Sequence, residues 1–175
     1  RHLFHTRELT GSVAERFTLE NKLRQAFEKD EFVLHYQPKV DVETRRIVGV
    51  EALIRWQSPE LGLVPPMKFI PLMEQTGLIL PVGSWALKQA SLDHRRWVDQ
   101  GLKAPRVAVN VSPIQLRKRD FVGAVEQAIM EGVAPTGIDL EITESLVMED
   151  VQGNIEKLKS VRQLGAVPSK TRTRL

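Results

Sequence analysis

The sequence of 175 residues contains no cysteine, only one tyrosine and no long hydrophobic run. The lack of cysteine excludes a disulfide framework, a thiolate zinc site and cysteine redox chemistry, and it is typical of a reducing compartment. No apolar run approaches the roughly 18 to 20 residues of a transmembrane helix. The first residues, RHLFHTREL, also lack the pattern of a signal peptide. The composition therefore predicts a cytoplasmic domain without direct membrane insertion.

The chain has no net charge once its last residues are set aside. Lys170, Arg172 and Arg174 supply three of the 25 basic residues, so residues 1–169 balance 22 basic against 22 acidic side chains. The cluster RKRD at 117–120 is the one candidate for a nucleic-acid surface, and charge runs of this kind are usually solvated loops. We therefore expect no nucleic acid among the partners.

The apolar pattern predicts alternating strands and helices. The segments 32–40 (FVLHYQPKV) and 47–56 (IVGVEALIRW) are predicted strands, and a six-residue connection between them favours an antiparallel pair. Later helices are predicted at 66–76, from a cap at Ser84 to about 100, at 120–132 and at 151–165, and later strands at 106–113 and 137–145. Strands separated by single helices predict a largely parallel sheet.

The alternation ends after Gly165. A further strand is expected at that point, but the sequence AVPSKTRTRL contains Pro168 and basic polar residues, which do not suit a buried strand. We therefore expect an α/β repeat that stops after about four strands. The chain also begins with Arg1 and not with Met, which favours a piece of a longer protein.

Two opposite charges interrupt the second predicted strand. Side chains alternate between the faces of a strand, so Glu51 and Arg55 share one face. Their separation is about 13 Å, from a rise of about 3.3 Å per residue. That distance is too long for a direct ion pair, and an unpaired buried charge is costly. We therefore expect a cation beside Glu51 and an anion beside Arg55.

Asn110 and Glu141 interrupt the two later strands near their C-terminal ends, where ligands gather in parallel α/β folds. Together with Glu51 they form an all-oxygen set, which suits Mg²⁺ or Mn²⁺ better than zinc. In the alternative interpretation, Asn110 and Glu141 bond to loop backbones and bind no metal, because exposed strand ends often carry polar residues. The residue pattern alone leaves both interpretations open.

The motif EAL at 51–53, within VEALIRW, resembles the signature of EAL-domain phosphodiesterases, bacterial enzymes that hydrolyse cyclic di-GMP to linear pGpG. Further segments resemble the family in order and spacing. LHYQPKV precedes the motif, and GLVPPMKFIPLMEQTGLI, GSWALKQA, VAVNVSPIQL and DLEITESLVM follow it. The resemblance runs from about Leu19 to Gly165. The chain is identified on these segments as a member of that family, with cyclic di-GMP as the implied partner.

The resemblance implies a fold and a set of roles. The family fold is a variant TIM barrel whose first strand is antiparallel, in agreement with the short connection described above. The family's metal-dependent chemistry, with Mg²⁺ or Mn²⁺, would use three ligands in this chain: Glu51, Asn110 and Glu141. Arg55 would bind a phosphate of the dinucleotide, and Gln37 would contact the substrate from the first strand. Glu144 matches a residue that anchors a mobile loop in the family.

The family pattern continues beyond Gly165 in a way that this sequence does not. A strand ending in DDFGTG supplies aspartates for a two-metal site there, and a lysine, a glutamate and a glutamine follow; none of these can be placed here. We therefore expect an incomplete EAL-type barrel with about four strands. Two-metal hydrolysis needs ions about 3.5 to 4 Å apart, so we expect little or no hydrolysis by this chain. The alternative function is a non-catalytic module that binds cyclic di-GMP or another protein.

Three segments are predicted from these observations. Residues 1–18 resemble the linker that joins a GGDEF domain to an EAL domain, residues 19–167 form a partial EAL domain, and residues 168–175 are a basic tail. The implied parent protein carries a GGDEF or sensor domain, and membrane tethering of that parent is left open. An incomplete barrel exposes a sheet edge and an apolar face, so we expect either a homodimer that covers them or an aggregation-prone fragment.

Overall fold

A computed structural model of the chain describes residues 4–132, 137–143 and 151–171. Within these ranges, the chain forms six helices and six strands. The helices are α1 (Phe4–Glu28), α2 (Pro66–Thr76), α3 (Ile79–Asp99), α4 (Pro113–Arg117), α5 (Phe121–Gly132) and α6 (Val151–Gln163). The strands are β1 (Phe32–Val40), β2 (Ile47–Ser58), β3 (Gly62–Val64), β4 (Val107–Asn110), β5 (Ile138–Thr143) and β6 (Val167–Thr171).

The described chain divides into two compact units. The first extends to Val33 and includes Arg55–Leu78, and the second comprises Leu34–Ile54 and the residues from Ile79 onward. None of the helices described is both long and apolar enough to cross a membrane.

The sheet has the strand order β1-β2-β4-β5-β6, and β3 pairs with β2 outside this path. The strands β2, β4, β5 and β6 pair in parallel in that order. β1 and β2 are neighbours joined by the six residues 41–46. Parallel neighbours need a crossover of a dozen or more residues, so this connection requires the antiparallel arrangement that the sequence predicts.

The register gives the second unit one apolar sheet face. Val50 pairs with Val107, and Val107 pairs with Ile138, so these side chains point to the same side of the parallel strands. Val107, Ile138 and Leu140 are fully buried, and they pack with apolar side chains from α3 and α5 into one core. The alternation of apolar and polar residues in VAVN and IDLEIT therefore corresponds to two different environments.

β6 corrects the sequence-based prediction at the end of the chain. Residues Val167–Thr171 form a strand that pairs in parallel with β5, where Pro168 is in register with Leu140. The expectation that the sheet stops after Gly165 was wrong. β6 is the last strand in the order, and a strand at that position tolerates proline because only alternate N–H groups face the neighbouring strand. The basic tail predicted at 168–175 thus begins as a strand.

Two helices differ from their predictions, and one agrees. α2 begins at Pro66 and ends at Gly77, whose positive φ of 76° is the left-handed conformation that glycine favours. α3 begins at Ile79, so the prediction of a helix start at Ser84 was wrong; Ile79 and Val82 are buried and extend the apolar stripe backwards. The short helix α4 was not predicted, although Ser112 and Gln115 form a capping box at its start.

The first unit has its own aromatic core. Trp56 and Phe69 are fully buried, and Phe32 packs against both, with ring centroids 6.3 and 5.9 Å away. The indole Nε1 of Trp56 donates a hydrogen bond of 2.9 Å to Oε2 of Glu31. β3 pairs antiparallel with the end of β2, where Val64 is in register with Trp56. The end of β2 that belongs to this unit thus contributes Trp56 to an aromatic core.

In the second unit, Tyr36 connects β1 to α3. Its hydroxyl donates a hydrogen bond of 2.7 Å to Oδ2 of Asp93, and its ring lies edge-on to Trp97 at 4.9 Å. Gln89 donates a second hydrogen bond, of 3.1 Å, to the other oxygen of Asp93. Burial, followed by the hydrogen bond to Asp93, raises the pKa of Tyr36 above its ordinary value of 10.0. Tyr36 therefore stays neutral over the physiological pH range and holds β1 against the helix.

Candidate functional site

The second face of the sheet, here called the polar face, carries the predicted ligands. Glu51 is in register with Ala108, and Asn110 is in register with Glu141. Register partners in parallel strands point to the same side, and residues two apart along a strand do so as well. Glu51, Asn110 and Glu141 therefore share the polar face. Asn110 is the last residue of β4, at the C-terminal end of the strand.

Asn110 links the first two predicted ligands directly. Its Nδ2 donates a hydrogen bond of 2.8 Å to Oε1 of Glu51. Asn110 is exposed, Glu51 is partly buried and Glu141 is only 6% exposed. The three side chains thus lie on three neighbouring strands, with a buried carboxylate on one side and an accessible carboxamide between the two acids.

A basic residue that the sequence analysis did not select completes this group. Nζ of Lys39, on β1, forms an ion pair with Oε1 of Glu141, on β5. Three strand steps separate these strands in the sheet order, which is about 14 Å on a flat sheet at roughly 4.8 Å per step. An extended lysine and an extended glutamate together only just span that distance, so their contact is favoured by a concave polar face, as in part of a barrel.

Gly49 lies beneath the path of this lysine. A Cβ at Gly49 would lie 3.9 Å from Cδ of Lys39, so the lysine stem crosses β2 where the strand has no side chain. Lys39 and Gln37 lie two residues apart on β1 and share a face. The signal in the sequence was therefore a lysine on the same strand face as a predicted substrate contact, opposite a strand glycine.

A second pair occupies the opposite end of the polar face. Arg106, just before β4, donates from Nε to Oδ1 of Asp139 at 2.7 Å and from its guanidinium to the Ile138 carbonyl at 2.7 Å. His94 lies nearby on α3 with its Nδ1 buried and unpaired, and burial, followed by the charge of Arg106, lowers its pKa. The ring packs so closely on Gly137 that a Cβ there would lie 2.2 Å from it. Arg106 and His94 thus pack against other described residues at this end of the sheet.

The other predicted site residues lie in different parts of the chain. Gln37 is exposed on β1, on the face shared with Lys39. Arg55 is partly buried on β2 and belongs to the first unit. Glu144 lies outside the described residues. The described residues contain no group of three or more His, Cys, Asp or Glu side chains that could hold a metal. The predicted ligand set has two carboxylates and one carboxamide, a donor chemistry that fits Mg²⁺ or Mn²⁺.

Comparisons with known proteins identify the family of the chain. The profile of the EAL domain family matches residues 20–167. The chain belongs to the EAL domain family. It is 37% identical over 165 residues to the bifunctional diguanylate cyclase/cyclic di-GMP phosphodiesterase MucR of Pseudomonas aeruginosa, with 94% of this chain and 24% of the relative covered. It is also 39% identical over 162 residues to the cyclic di-GMP phosphodiesterase PdeR of Escherichia coli, with 92% and 24% covered.

Solved structures show the same fold. The MucR phosphodiesterase in complex with cyclic di-GMP superimposes with a TM-score of 0.83 at 39% identity, over 87% of this chain and 62% of that structure. The EAL enzyme Bd1971 with cAMP and cyclic di-GMP bound gives 0.80 at 33% identity, over 94% and 46%. The fold is therefore that of an EAL domain, a TIM-like barrel of which the described strands form part. The chain spans about a quarter of the length of the two curated relatives named above.

Proposed function

We propose that the polar face of this chain binds cyclic di-GMP and contributes to metal-dependent hydrolysis of one of its phosphodiester bonds. The observation that carries the proposal is the position of Asn110, which bonds to Glu51 and is in register with Glu141. An all-oxygen set on three neighbouring parallel strands, with Asn110 at the C-terminal end of β4, supports this function in a chain of the EAL domain family.

The residues of this chain would act on the substrate in separate ways. Glu51 and Glu141 would offer carboxylate oxygens to Mg²⁺ or Mn²⁺, and Asn110 would turn its carboxamide oxygen toward the same ion. The bound ion would polarise a phosphoryl oxygen and acidify a water molecule. Arg55 would bind a phosphate, because a guanidinium forms paired hydrogen bonds with it, and Gln37 would contact the nucleotide from β1. In hydrolysis a water oxygen bonds to phosphorus, one P–O ester bond breaks, and linear pGpG results.

The proposed ligands serve one ion, and a two-metal reaction needs a second set. We therefore expect the 175-residue chain, measured alone, to bind cyclic di-GMP and to release pGpG slowly or not at all. Binding without turnover is the second candidate function. It is favoured by the protein contacts that the proposed ligands already make, Glu51 with Asn110 and Glu141 with Lys39.

Titration calorimetry with cyclic di-GMP, in Mn²⁺ and in EDTA, tests the proposal. We expect Arg55→Ala and Gln37→Ala to weaken binding about tenfold or more, which corresponds to about 1.4 kcal/mol. Arg95→Ala is the matched control, because Arg95 is an exposed arginine paired only with Asp99 on its own helix in the contacts described. Absence of binding in both buffers would contradict the proposal. Rapid Mg²⁺-dependent formation of pGpG, followed by chromatography, would contradict the expectation of slow turnover.

The larger assembly is also a proposal. The relative MucR is named as a diguanylate cyclase and a phosphodiesterase, so a GGDEF domain in the parent protein is a reasonable partner for the segment 1–18. The homodimer predicted from the sequence stays a prediction, and sedimentation of the purified chain at micromolar concentrations would test it. A monomer throughout would exclude it.

A further inference from the structure

We propose that the ammonium group of Lys39 is a resident cation of the polar face, which a divalent ion must displace from Glu141 in order to bind. This inference rests on the metal site of the proposed function and adds a residue to it. The observation behind it is the ion pair between Lys39 on β1 and Glu141 on β5, formed across the concave polar face.

Glu141 needs a positive charge whether or not a metal is present. The residue is only 6% exposed, and a buried carboxylate without a cation loses several kcal/mol of solvation. Lys39 meets this requirement while keeping its stem partly in contact with solvent, since its side chain is 35% exposed. The lysine therefore stabilises the metal-free chain at the carboxylate that the metal would use.

The path from Lys39 to Glu141 passes over small residues. Lys39 crosses β2 at Gly49, where no side chain blocks its stem, and the intervening position on β4 next to Glu51 is the small residue Ala108. A side chain that is already tethered beside Glu141 has a high effective concentration there. A divalent ion must compete with that tethered ammonium, so the affinity measured for the ion is lower than the ligand set alone would give.

Solvent is accessible to the Lys39 ammonium group once it leaves Glu141. Lys39 points across an accessible face, and its partly exposed stem allows the charged head to move into solvent when another cation takes Glu141. Asn110 and Glu51 are released from each other by the same event, because the carboxamide must turn its oxygen to the ion. Metal binding is therefore an exchange of partners on the polar face.

The test compares four forms of the full 175-residue chain: wild type, Lys39→Met, Lys39→Arg and Lys88→Met. Lys88→Met is the matched control, because Lys88 also pairs with a glutamate, Glu131, at 2.7 Å, but both side chains are exposed on helices. Mn²⁺ affinity is measured by titration calorimetry, and thermal unfolding is followed in EDTA and in Mn²⁺. Neither readout depends on hydrolysis.

We expect Lys39→Met to bind Mn²⁺ about tenfold more tightly than wild type, because the ammonium group that competes for Glu141 is gone. In EDTA its melting temperature should fall below those of wild type and Lys88→Met, and Mn²⁺ should restore it. Lys39→Arg keeps the charge and should stay close to wild type in Mn²⁺ affinity. If Lys39→Met does not fold, Lys39→Gln, whose amide can still donate to Glu141, replaces it with the same expected direction.

Two results would overturn the inference in different ways. Equal Mn²⁺ affinity in wild type and Lys39→Met would show that Lys39 does not compete with the ion. The metal site and the proposed function would then still stand. Absence of Mn²⁺ binding in all four forms would show that the chain has no metal site. The replacement of Lys39 by a metal ion at Glu141 would then also be excluded. Binding of cyclic di-GMP in EDTA, measured separately, would then leave nucleotide binding without turnover as the function.

Discussion

The two faces of the sheet in the second unit differ in how their groups are satisfied. On the apolar face, Val107, Ile138 and Leu140 are fully buried against the helices. On the polar face, Asn110 is exposed and bonds to Glu51, while Glu141 is buried and paired with Lys39. Burial of apolar surface is the larger source of stability, at about 25 cal/mol per Å². We therefore expect the apolar face to contribute most of the stability and the polar face to carry the proposed chemistry.

The strongest test of this division removes a core side chain. Leu140→Ala deletes most of a fully buried leucine on β5, and we expect a loss of about 3 kcal/mol in the free energy of unfolding from lost transfer energy and a residual cavity. Urea denaturation followed by circular dichroism measures it. Met130→Ala on α5, where the methionine is 71% exposed, should change stability by less than about 0.5 kcal/mol. Equal losses of unfolding free energy in Leu140→Ala and Met130→Ala would contradict the larger contribution of the apolar face to stability.

Tyr36 tests the comparison of the two faces further, because its hydroxyl is a polar group on the apolar face. Tyr36→Phe keeps the ring against Trp97 and removes the hydrogen bond to Asp93, so we expect a loss of about 1 kcal/mol. Asp93 keeps its bond from Gln89, which limits the cost. Equilibrium unfolding at pH 7 measures the difference. A variant as stable as wild type would show that the hydrogen bond to Asp93 contributes nothing net.

The same residue predicts a dependence on pH. The folded-state pKa of Tyr36 is raised by burial and then by Asp93, so its stabilisation is complete below the unfolded value near 10 and is lost as the pH rises above it. Because the chain has one tyrosine, absorbance near 295 nm reports on Tyr36 alone. The native chain should ionise at higher pH than the chain in urea, and identical titrations would contradict the assignment.

The order of helices and strands was predictable because the spacing of apolar residues agrees with the positions of proline and glycine along the chain. The short connection after Val40 implies an antiparallel neighbour, and Pro66 and Gly77 mark both ends of α2. β6 was missed because Pro168 argues against a central strand, and composition alone does not tell that a strand lies at the end of the sheet order. The helix α3 begins before Ser84, the predicted cap, because its buried apolar stripe already starts at Ile79.

The candidate site was predictable to the extent that strand alternation could identify it. Polar residues in otherwise apolar strands indicated Glu51, Asn110 and Glu141, and the register brings them onto one face. Lys39 was not predicted as part of the site, because its contact with Glu141 depends on the curvature of a sheet and joins residues 102 positions apart (141 minus 39). Curvature arises from the packing of several strands together, and no local pattern in QPKV encodes it.

Apart from the control Met130→Ala, Asn110→Ala has the smallest expected effect on stability, and it also tests the proposed metal site. Its side chain is exposed, so Asn110→Ala should cost about 0.5 kcal/mol of unfolding free energy, near the lower end for a hydrogen bond. The same change removes one proposed oxygen ligand, and we expect Mn²⁺ affinity to fall about tenfold or more. Calorimetry and urea denaturation on one preparation measure both quantities.

Asn110→Asp separates the hydrogen bond from the ligand. The aspartate keeps an oxygen for the ion but places a second negative charge beside Glu51, which now receives no hydrogen bond from position 110. We expect this variant to bind Mn²⁺ at least as well as wild type and to be less stable than Asn110→Ala in EDTA, since like charges repel. If Asn110→Asp binds Mn²⁺ no better than Asn110→Ala, position 110 holds Glu51 by its hydrogen bond and does not ligate the ion.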